Sequence, residues 1–320
     1  MDILYMVLPC YNEQEVLRET ALRLKNKLYV LIENNIISGD SKILFVNDGS
    51  KDKTWDIIQN LYEEDDIFAG LNLSRNKGHQ NALFAGLMLA KDMADIAISI
   101  DADLQDDIEA IDDMLDAYLL QGYDIVYGVR SSRKKDSFFK RKTAEGFYRF
   151  MAALGVDIIF NHADYRLMNK KTLQSLSEFN EVNLFLRGLL PMIGYKYTTV
   201  AYERNERFAG ETKYPLKKML AFAIEGITSL SVRPIRIITV IGFISFIISC
   251  AMLVYFVIDY ILDGTVAGWA STVVSIWAIG GLQLLAIGII GEYIGKIYLE
   301  VKARPRYIVK EVLLHKNKCD

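Results

Sequence analysis

Cysteine is scarce. Cys10, Cys250 and Cys319 are the three in 320 residues, odd in number and far apart. That excludes a disulfide framework and a thiolate metal cluster, and it fits a reducing compartment. No Cys/His cluster offers a site for a softer metal. Positive charge is not in excess either. Lysine and arginine total 37 against 40 acids, a net charge of −3. A global basic field for nucleic acid is therefore missing, and no nucleic-acid partner is expected. The start, Met1-Asp2-Ile3-Leu4, has no basic run and reaches Pro9 early, so no signal peptide is expected. Hydrophobic side chains are plentiful, at 52%, with mean hydropathy +0.16. This is the composition of a membrane protein with a large soluble part, of one or two domains.

The first 130 residues alternate in period. Ile3–Leu8, Ile43–Val46, Gly70–Leu73, Ile96–Ile100 and Asp124–Gly128 read as short buried strands. Glu13–Asn34, Thr54–Glu63, Gly78–Lys91 and Asp107–Leu120 read as helices between them. In the last, Ile108, Ile111, Leu115 and Leu119 would share one face. Strand–helix alternation predicts an α/β fold with a mostly parallel sheet and right-handed crossovers. Ligands of such sheets bind outside the carboxyl ends of the strands.

Those ends carry polar groups from five separate segments: Leu8-Pro-Cys-Tyr-Asn-Glu13, Val46-Asn-Asp-Gly-Ser50, Ser74-Arg-Asn-Lys-Gly-His79, Asp101-Ala-Asp103 and Gly128-Val-Arg130. Asp52 and Asp107 read mostly as helix-cap residues, and His79 as structural. Asp101 and Asp103, with Gln105, supply a hard-oxygen cluster at a strand end. Such a cluster suits Mg²⁺ or Mn²⁺ held by few protein oxygens together with substrate phosphates.

The motifs Val7-Leu-Pro-Cys-Tyr-Asn-Glu13, Val46-Asn-Asp-Gly-Ser-Lys-Asp52, Arg75-Asn-Lys-Gly-His79, Asp101-Ala-Asp-Leu-Gln-Asp106, Ala163-Asp-Tyr-Arg-Leu167 and Arg204-Asn-Glu-Arg-Phe-Ala-Gly-Glu-Thr-Lys-Tyr214 stand in this order. Together they resemble the family 2 glycosyltransferases. Within that family the chain is similar to the polyprenyl-phosphate group, which holds the bactoprenol glucosyltransferases and the dolichyl-phosphate mannose synthases. The resemblance implies a GT-A fold that binds a nucleotide sugar. It implies that Pro9, Tyr11 and Glu13 line the base and ribose, that Asp48 contacts the base, and that Asp101 lies beside the ribose and diphosphate. Asp103 and Gln105 would ligate the metal, with Asp101 close to it. Arg130, Arg207 and Lys213 would hold the diphosphate or the acceptor phosphate. Asn12 matches a motif but reads equally well as a helix cap. Asp164 would sit near the reacting centre. A lipid phosphate is largely ionised at neutral pH, so Asp164 is expected to position cationic groups or the sugar as much as to remove a proton.

The run Arg130-Ser-Ser-Arg-Lys-Lys-Asp-Ser-Phe-Phe-Lys-Arg-Lys142 is strongly basic in an acidic chain. With Phe138-Phe139 inside it, it reads as a membrane-near loop. In it Arg130, Arg133, Lys140 and Arg141 would capture an acceptor phosphate. Ile237–Ile258 and Thr265–Gly291 contain no charged residue, and each is long enough to cross the hydrocarbon as a helix. The connection, Asp259-Tyr-Ile-Leu-Asp-Gly264, holds acids and no lysine or arginine. Lys217, Lys218, Arg233 and Arg236 precede the pair, and Lys296, Lys302, Arg304 and Arg306 follow it. The positive-inside rule then places the catalytic domain and both termini in the cytoplasm, on a multi-pass plasma-membrane protein. The expected organisation is a catalytic domain over 1–214, an interfacial amphipathic helix over 215–234, a two-helix transmembrane hairpin over 235–296 and a cytoplasmic tail over 297–320. Glycines in the second span, Gly280-Gly281, Gly288, Gly291 and Gly295, permit close packing, including a homo-oligomer.

The expected reaction is metal-dependent, inverting transfer of a hexose from a UDP-sugar to undecaprenyl phosphate. UDP-glucose is the first donor considered and UDP-N-acetylglucosamine the second. Two other readings stay open. One is a processive polysaccharide synthase, against which no tryptophan is preceded by arginine. The other is a catalytically silent subunit that binds nucleotide sugar.

Overall fold

Seven consecutive buried residues, Leu4–Cys10, form strand β1. An all-apolar strand buried on both faces marks the centre of a parallel sheet. The structure, a computed structural model, describes residues 1–131, 162–203, 227–229, 231–263 and 268–315. After β1 come α1 (Leu17–Glu33), β2 (Lys42–Asn47), α2 (Thr54–Glu64), β3 (Phe68–Leu73), α3 (His79–Met93), β4 (Ile96–Ser99), α4 (Ala110–Leu119) and β5 (Ile125–Arg130). Then follow β6 (His162–Asn169), α5 (Lys170–Ser177), α6 (Leu186–Met192), β7 (Tyr197–Tyr202), α7 (Arg233–Asp263), α8 (Trp269–Lys302) and β8 (Val309–Leu313).

The strands form one eight-stranded sheet in the order β7-β5-β6-β4-β1-β2-β3-β8. β1 pairs in parallel with β2 and β4, β2 with β3, and β5 with β7. β6 runs antiparallel between β4 and β5, and β8 runs antiparallel along β3. The five strands expected from the sequence are β1 to β5. The mostly parallel α/β sheet is thus the one the alternation implies.

Helix packing follows from small residues and apolar faces. α3 lies against β1 and β2 at Gly86, where a Cβ would come within 2.4 Å of Val7 Cγ1 and 2.6 Å of Val46 Cγ2. α4 buries Ile111, Met114 and Leu115, with Asp112 and Asp113 in its first turn, where acids complement the helix dipole. Leu119, expected on that face, is exposed at the last turn. α5 begins at Asn169, whose side chain accepts from the Thr172 amide at 2.9 Å.

The described residues divide into two compact units. One holds 1–131, 162–203 and 304–315; the other holds 227–229, 231–263 and 268–303. In the second, α7 has 31 residues and α8 has 34. Among the described residues one stretch, Ala278–Lys302, is long and apolar enough to cross a membrane. Within this unit the Tyr293 hydroxyl donates to the Ser231 carbonyl at 2.5 Å, and Lys296 Nζ to Ser229 Oγ at 2.6 Å. α8 ends at Ala303, in the left-handed region at φ 43°. The segment beyond it, expected as a tail, instead supplies β8 to the sheet of the first unit.

Candidate active site

Two loops at the carboxyl edge are stitched to each other. Asn12, at φ 56°, leaves the extended path of β1. Its amide donates to Ser50 Oγ at 3.0 Å, and its Oδ1 accepts from the Lys51 amide at 2.9 Å. The Glu13 amide donates to Thr54 Oγ1 at 2.9 Å and the Gln14 amide to Asp52 Oδ2 at 3.2 Å. Asn12 therefore joins β1–α1 to β2–α2 rather than capping a helix. Pro9 is buried in β1 beyond the last pair with β4, Val7 with Ser99. It leaves no ladder bond unmade on that side. Tyr11 is exposed and Glu13 half-buried at the same edge.

Asp48 organises a third loop. It is buried, and its two oxygens accept from the Lys77 amide at 2.7 Å and the Gly78 amide at 2.9 Å. Burial pushes its carboxyl above the usual range, against the opposing pull of those two amides. The loop 74–78 rests directly on Gly49, at φ 63°. A Cβ there would meet Arg75 C and Asn76 N at 2.5 Å.

The acidic turn after β4 sits beside this loop. Thr20 Oγ1 of α1 donates to the Ala102 carbonyl at 2.8 Å and so supports the turn from below. Asp103 Oδ1 accepts from the Gln105 amide at 3.2 Å, and Leu104 adopts φ 57°. Gln105 is buried. Asp107 Oδ1 accepts from the Glu109 amide at 3.1 Å, and Asp52 Oδ1 from the Thr54 amide at 3.1 Å. Both hold turns just before a helix, close to the cap role expected of them.

β6 brings in the remaining charges. Ser99 pairs with Arg166 in the β4–β6 ladder, and Ser99 Oγ donates to the Asp164 carbonyl at 2.6 Å. Asp164 and Arg166 are two apart on a strand, so they share a face. The wholly buried Arg166 guanidinium donates to Asp164 Oδ1. Arg187 of α6 grips the same carboxylate as a fork, Nη2 to Oδ2 at 2.9 Å and Nε to Oδ1 at 3.3 Å. His79 Nε2 lies 3.7 Å from Asp164 Oδ2 and 3.6 Å from Asp101 Oδ1. Burial alone would raise the Asp164 carboxyl, but Arg187 and Arg166 hold it far below the ordinary carboxylate range. Asp101 is raised, first by burial and then by Asp164 and Asp103 against the pull of His79.

Asp106 forms the other flank. It is buried, and Tyr202 of β7 donates to its Oδ1 at 2.5 Å. Burial, with the Asp101 charge second, pushes its carboxyl up to about 6. Arg130 and Tyr202 are register partners at the ends of β5 and β7.

Asp101, Asp103, Asp106, Asp164, His79, Arg166 and Arg187 thus converge from four segments. Of these, the sequence gives His79 a structural role and offers Arg166 as a salt-bridge partner for Asp164, which the structure shows, while Arg187 and Asp106 receive none. Arg187 has no local motif; only the tertiary fold joins it to Asp164. Arg133, Lys140, Arg141, Arg207 and Lys213 lie outside the described residues. Asp101 Oδ1 is buried and accepts no hydrogen bond. A buried bare carboxylate oxygen is costly unless a cation or donor completes it, so the residues present fit a divalent ion. Among the described residues no cluster of three His, Cys, Asp or Glu side chains could hold one by itself. The ion would take further oxygens from elsewhere, as a nucleotide diphosphate supplies them.

The glycosyl transferase family 2 profile matches residues 5–177, more than half of the chain. The chain belongs to glycosyl transferase family 2. This glycosyltransferase is 56% identical over 307 residues to the uncharacterized glycosyltransferase YkoT of Bacillus subtilis, covering 96% of this chain and 91% of that one. It is 40% identical over 309 residues to the prophage bactoprenol glucosyl transferase homolog of Escherichia coli, covering 96% and 98%. It is 40% identical over 311 residues to the SfII prophage-derived bactoprenol glucosyl transferase of Shigella flexneri, covering 96% and 97%.

Proposed function

We propose that this glycosyltransferase moves a hexose from a nucleotide diphosphate to a polyprenyl phosphate at the cytoplasmic face of the plasma membrane. UDP-glucose is the first donor and UDP-N-acetylglucosamine the second. The observation that carries the reading is the convergence of Asp101 and Asp164 with His79, Arg166 and Arg187 at the carboxyl edge of the sheet. The names of the bactoprenol relatives support the lipid acceptor and the glucose donor.

Breaking a sugar–diphosphate bond builds negative charge on the leaving diphosphate and positive charge on the anomeric carbon. A divalent Mg²⁺ or Mn²⁺ held by Asp101, Asp103 and Gln105 would neutralise the leaving group. Arg130, Arg207 and Lys213 would bind phosphate oxygens, arginine offering two parallel donors. Pro9, Tyr11 and Glu13 would flank the base and ribose. Asp48 would act there by holding loop 74–78 in place. Asp164 remains ionised between two guanidinium groups, a poor proton acceptor. Its role in this reading is to fix Arg187 and His79 beside the sugar. The acceptor phosphate, already ionised at neutral pH, attacks the anomeric carbon in line and the configuration inverts. Two spans, α7 and α8, with an interfacial segment before them, would hold the sheet's carboxyl edge near the headgroup plane. The basic run with Arg133, Lys140 and Arg141 would meet the lipid phosphate there.

The test is a transfer assay with purified protein in nanodiscs containing undecaprenyl phosphate. UDP-glucose, UDP-N-acetylglucosamine, UDP-galactose and GDP-mannose are offered separately, with and without chelator. The expected result is a chelator-sensitive glucolipid that the Asp103→Ala variant, still inserted in the membrane, fails to make. Folded wild-type protein that yields no lipid product from any donor would favour a silent nucleotide-sugar-binding subunit.

A further inference from the structure

We propose that Arg306 is a positioning residue for the transfer reaction, tying to one point the two loops that lead to His79 and Arg187, the partners of Asp164. The proposal rests on the reading of Asp164 as the anchor of the reacting edge.

The segment that follows α8 crosses both loops before it becomes β8. The Ser74 amide donates to the Ile308 carbonyl at 2.9 Å, and Lys77 Nζ to the Pro305 carbonyl at 3.4 Å. These bonds fix the loop whose Lys77 and Gly78 amides clamp Asp48 and whose next residue is His79. Arg306 reaches further. Its guanidinium donates to the Phe179 carbonyl, at the start of the connection between α5 and α6. That connection leads to Arg187. The same guanidinium lies 4.4 Å from the ring centre of Phe84, a buried residue of α3, the helix that opens with His79. The Tyr307 ring meets Phe84 edge-on at 6.4 Å. Gln80 Oε1, one residue after His79, accepts from the Leu186 amide at 2.9 Å, next to Arg187. His79 and Arg187 thus arrive at Asp164 on elements fastened to each other at one end by Gln80 and at the other by Arg306.

A planar cation suits this place because one face can stack on an aromatic ring while its edge donates to a carbonyl. Lysine can keep the charge near Phe84 but offers one donor centre in place of the fork. The loops carry reacting-edge groups, so loosening them should lower turnover more than it raises the donor KM.

The experiment uses the full chain in nanodiscs and compares Arg306→Ala, Arg306→Lys and His315→Ala. His315 stacks on Tyr62 at 3.9 Å at the far end of β8 and touches neither loop. In hydrogen exchange, Arg306→Ala should speed the amides of 74–79 and 180–187 about tenfold or more and leave β1 and β2 unchanged. Its kcat should fall about tenfold with donor KM within about threefold, and Arg306→Lys should recover part of both effects. His315→Ala should loosen β8 alone and keep its turnover. Faster exchange confined to 304–313 in Arg306→Ala, or wild-type turnover in that variant, overturns the proposal. If the wild type transfers no sugar, the proposed reaction is wrong and the exchange pattern alone decides the role of Arg306.

Discussion

A single carboxylate, Asp164, decides how the reacting edge works. Two arginines and a histidine surround it. The proton leaves this group far more easily than it leaves a free aspartate, so raising the pH cannot make it a better base. Asp164→Asn should cut turnover by about a hundredfold, and no pH between 7 and 9.5 should restore it. Full recovery at alkaline pH would reinstate base catalysis. The same change leaves the buried Arg166 without its counter-charge, a loss of about 3 kcal/mol in comparable pairs. The melting temperature should fall with activity, and more at pH 7 than near pH 3. The sign follows from the lowered carboxyl: its contribution is present above the ordinary carboxylate pKa and fades as acid protonates it. Asp106 behaves in the opposite sense. Its folded carboxyl sits at about 6, above its unfolded value. The folded chain therefore holds a proton that the unfolded chain has released, and stability falls as pH rises from about 4 to about 6. Asp106→Asn, which can still accept from Tyr202, should gain melting temperature relative to wild type at pH 7 and not at pH 4. A difference that is the same at both pH values would show that Asp106 is not the raised group.

At the scale of elements, the loops after β1, β2 and β3 act as one body, and Gly49 is where the second touches the third. An alanine there meets both obstacles at once, a left-handed backbone and a Cβ 2.5 Å from the Arg75 carbonyl carbon. Gly49→Ala should cost about 2 kcal/mol or more and loosen the Asp48 clamp, while Gly39→Ala, with nothing within 4 Å, should stay within about 0.5 kcal/mol. Thermal unfolding of the two variants in the same detergent checks the contrast. This part of the fold was legible because buried parallel strands announce themselves as apolar runs ending in polar loops. The other three strands were not. β6 carries Asp164 and a buried Arg166 inside its ladder, so its sequence looks like a polar loop with a motif. β7 alternates exposed and half-buried positions along a sheet edge, and β8 holds Lys310 and Glu311 on the opposite edge. An edge strand takes its partner from residues remote in the chain, and composition does not reveal that pairing. For the same reason the sequence located Asp101, Asp103 and Asp164 but passed over Arg187, whose only tie to them is spatial. His79 was read as a bland loop residue because its two carboxylate neighbours lie 22 and 85 positions away.

At the scale of the whole molecule the chain leaves the sheet, passes through α7 and α8, and returns to donate β8. If α7 and α8 form a hairpin across the bilayer, both the exit and the return must lie on one side, because the first unit takes strands from before and after it. Charge points to the cytoplasmic side. Arg233 and Arg236 stand before the pair and Lys302, Arg304 and Arg306 after it, whereas the connection from Asp259 to Gly264 carries only acids. That orientation predicts that position 264, between the two helices in sequence, is reached from outside the cell. A Gly264→Cys variant, with Cys10, Cys250 and Cys319 changed to serine, should react in intact cells with a membrane-impermeant maleimide. A variant that retains Cys319 alone should react only after the cells are opened. Labelling of Cys319 but not position 264 in intact cells would invert the orientation and put the donor site on the side without cytoplasmic nucleotide sugar. Labelling of position 264 only after the cells are opened, as for Cys319, would mean that the pair does not cross. α8 would then lie along the surface with its apolar side in the headgroup layer. The orientation result therefore also tests whether a soluble nucleotide sugar and a membrane-bound phosphate can reach one active site.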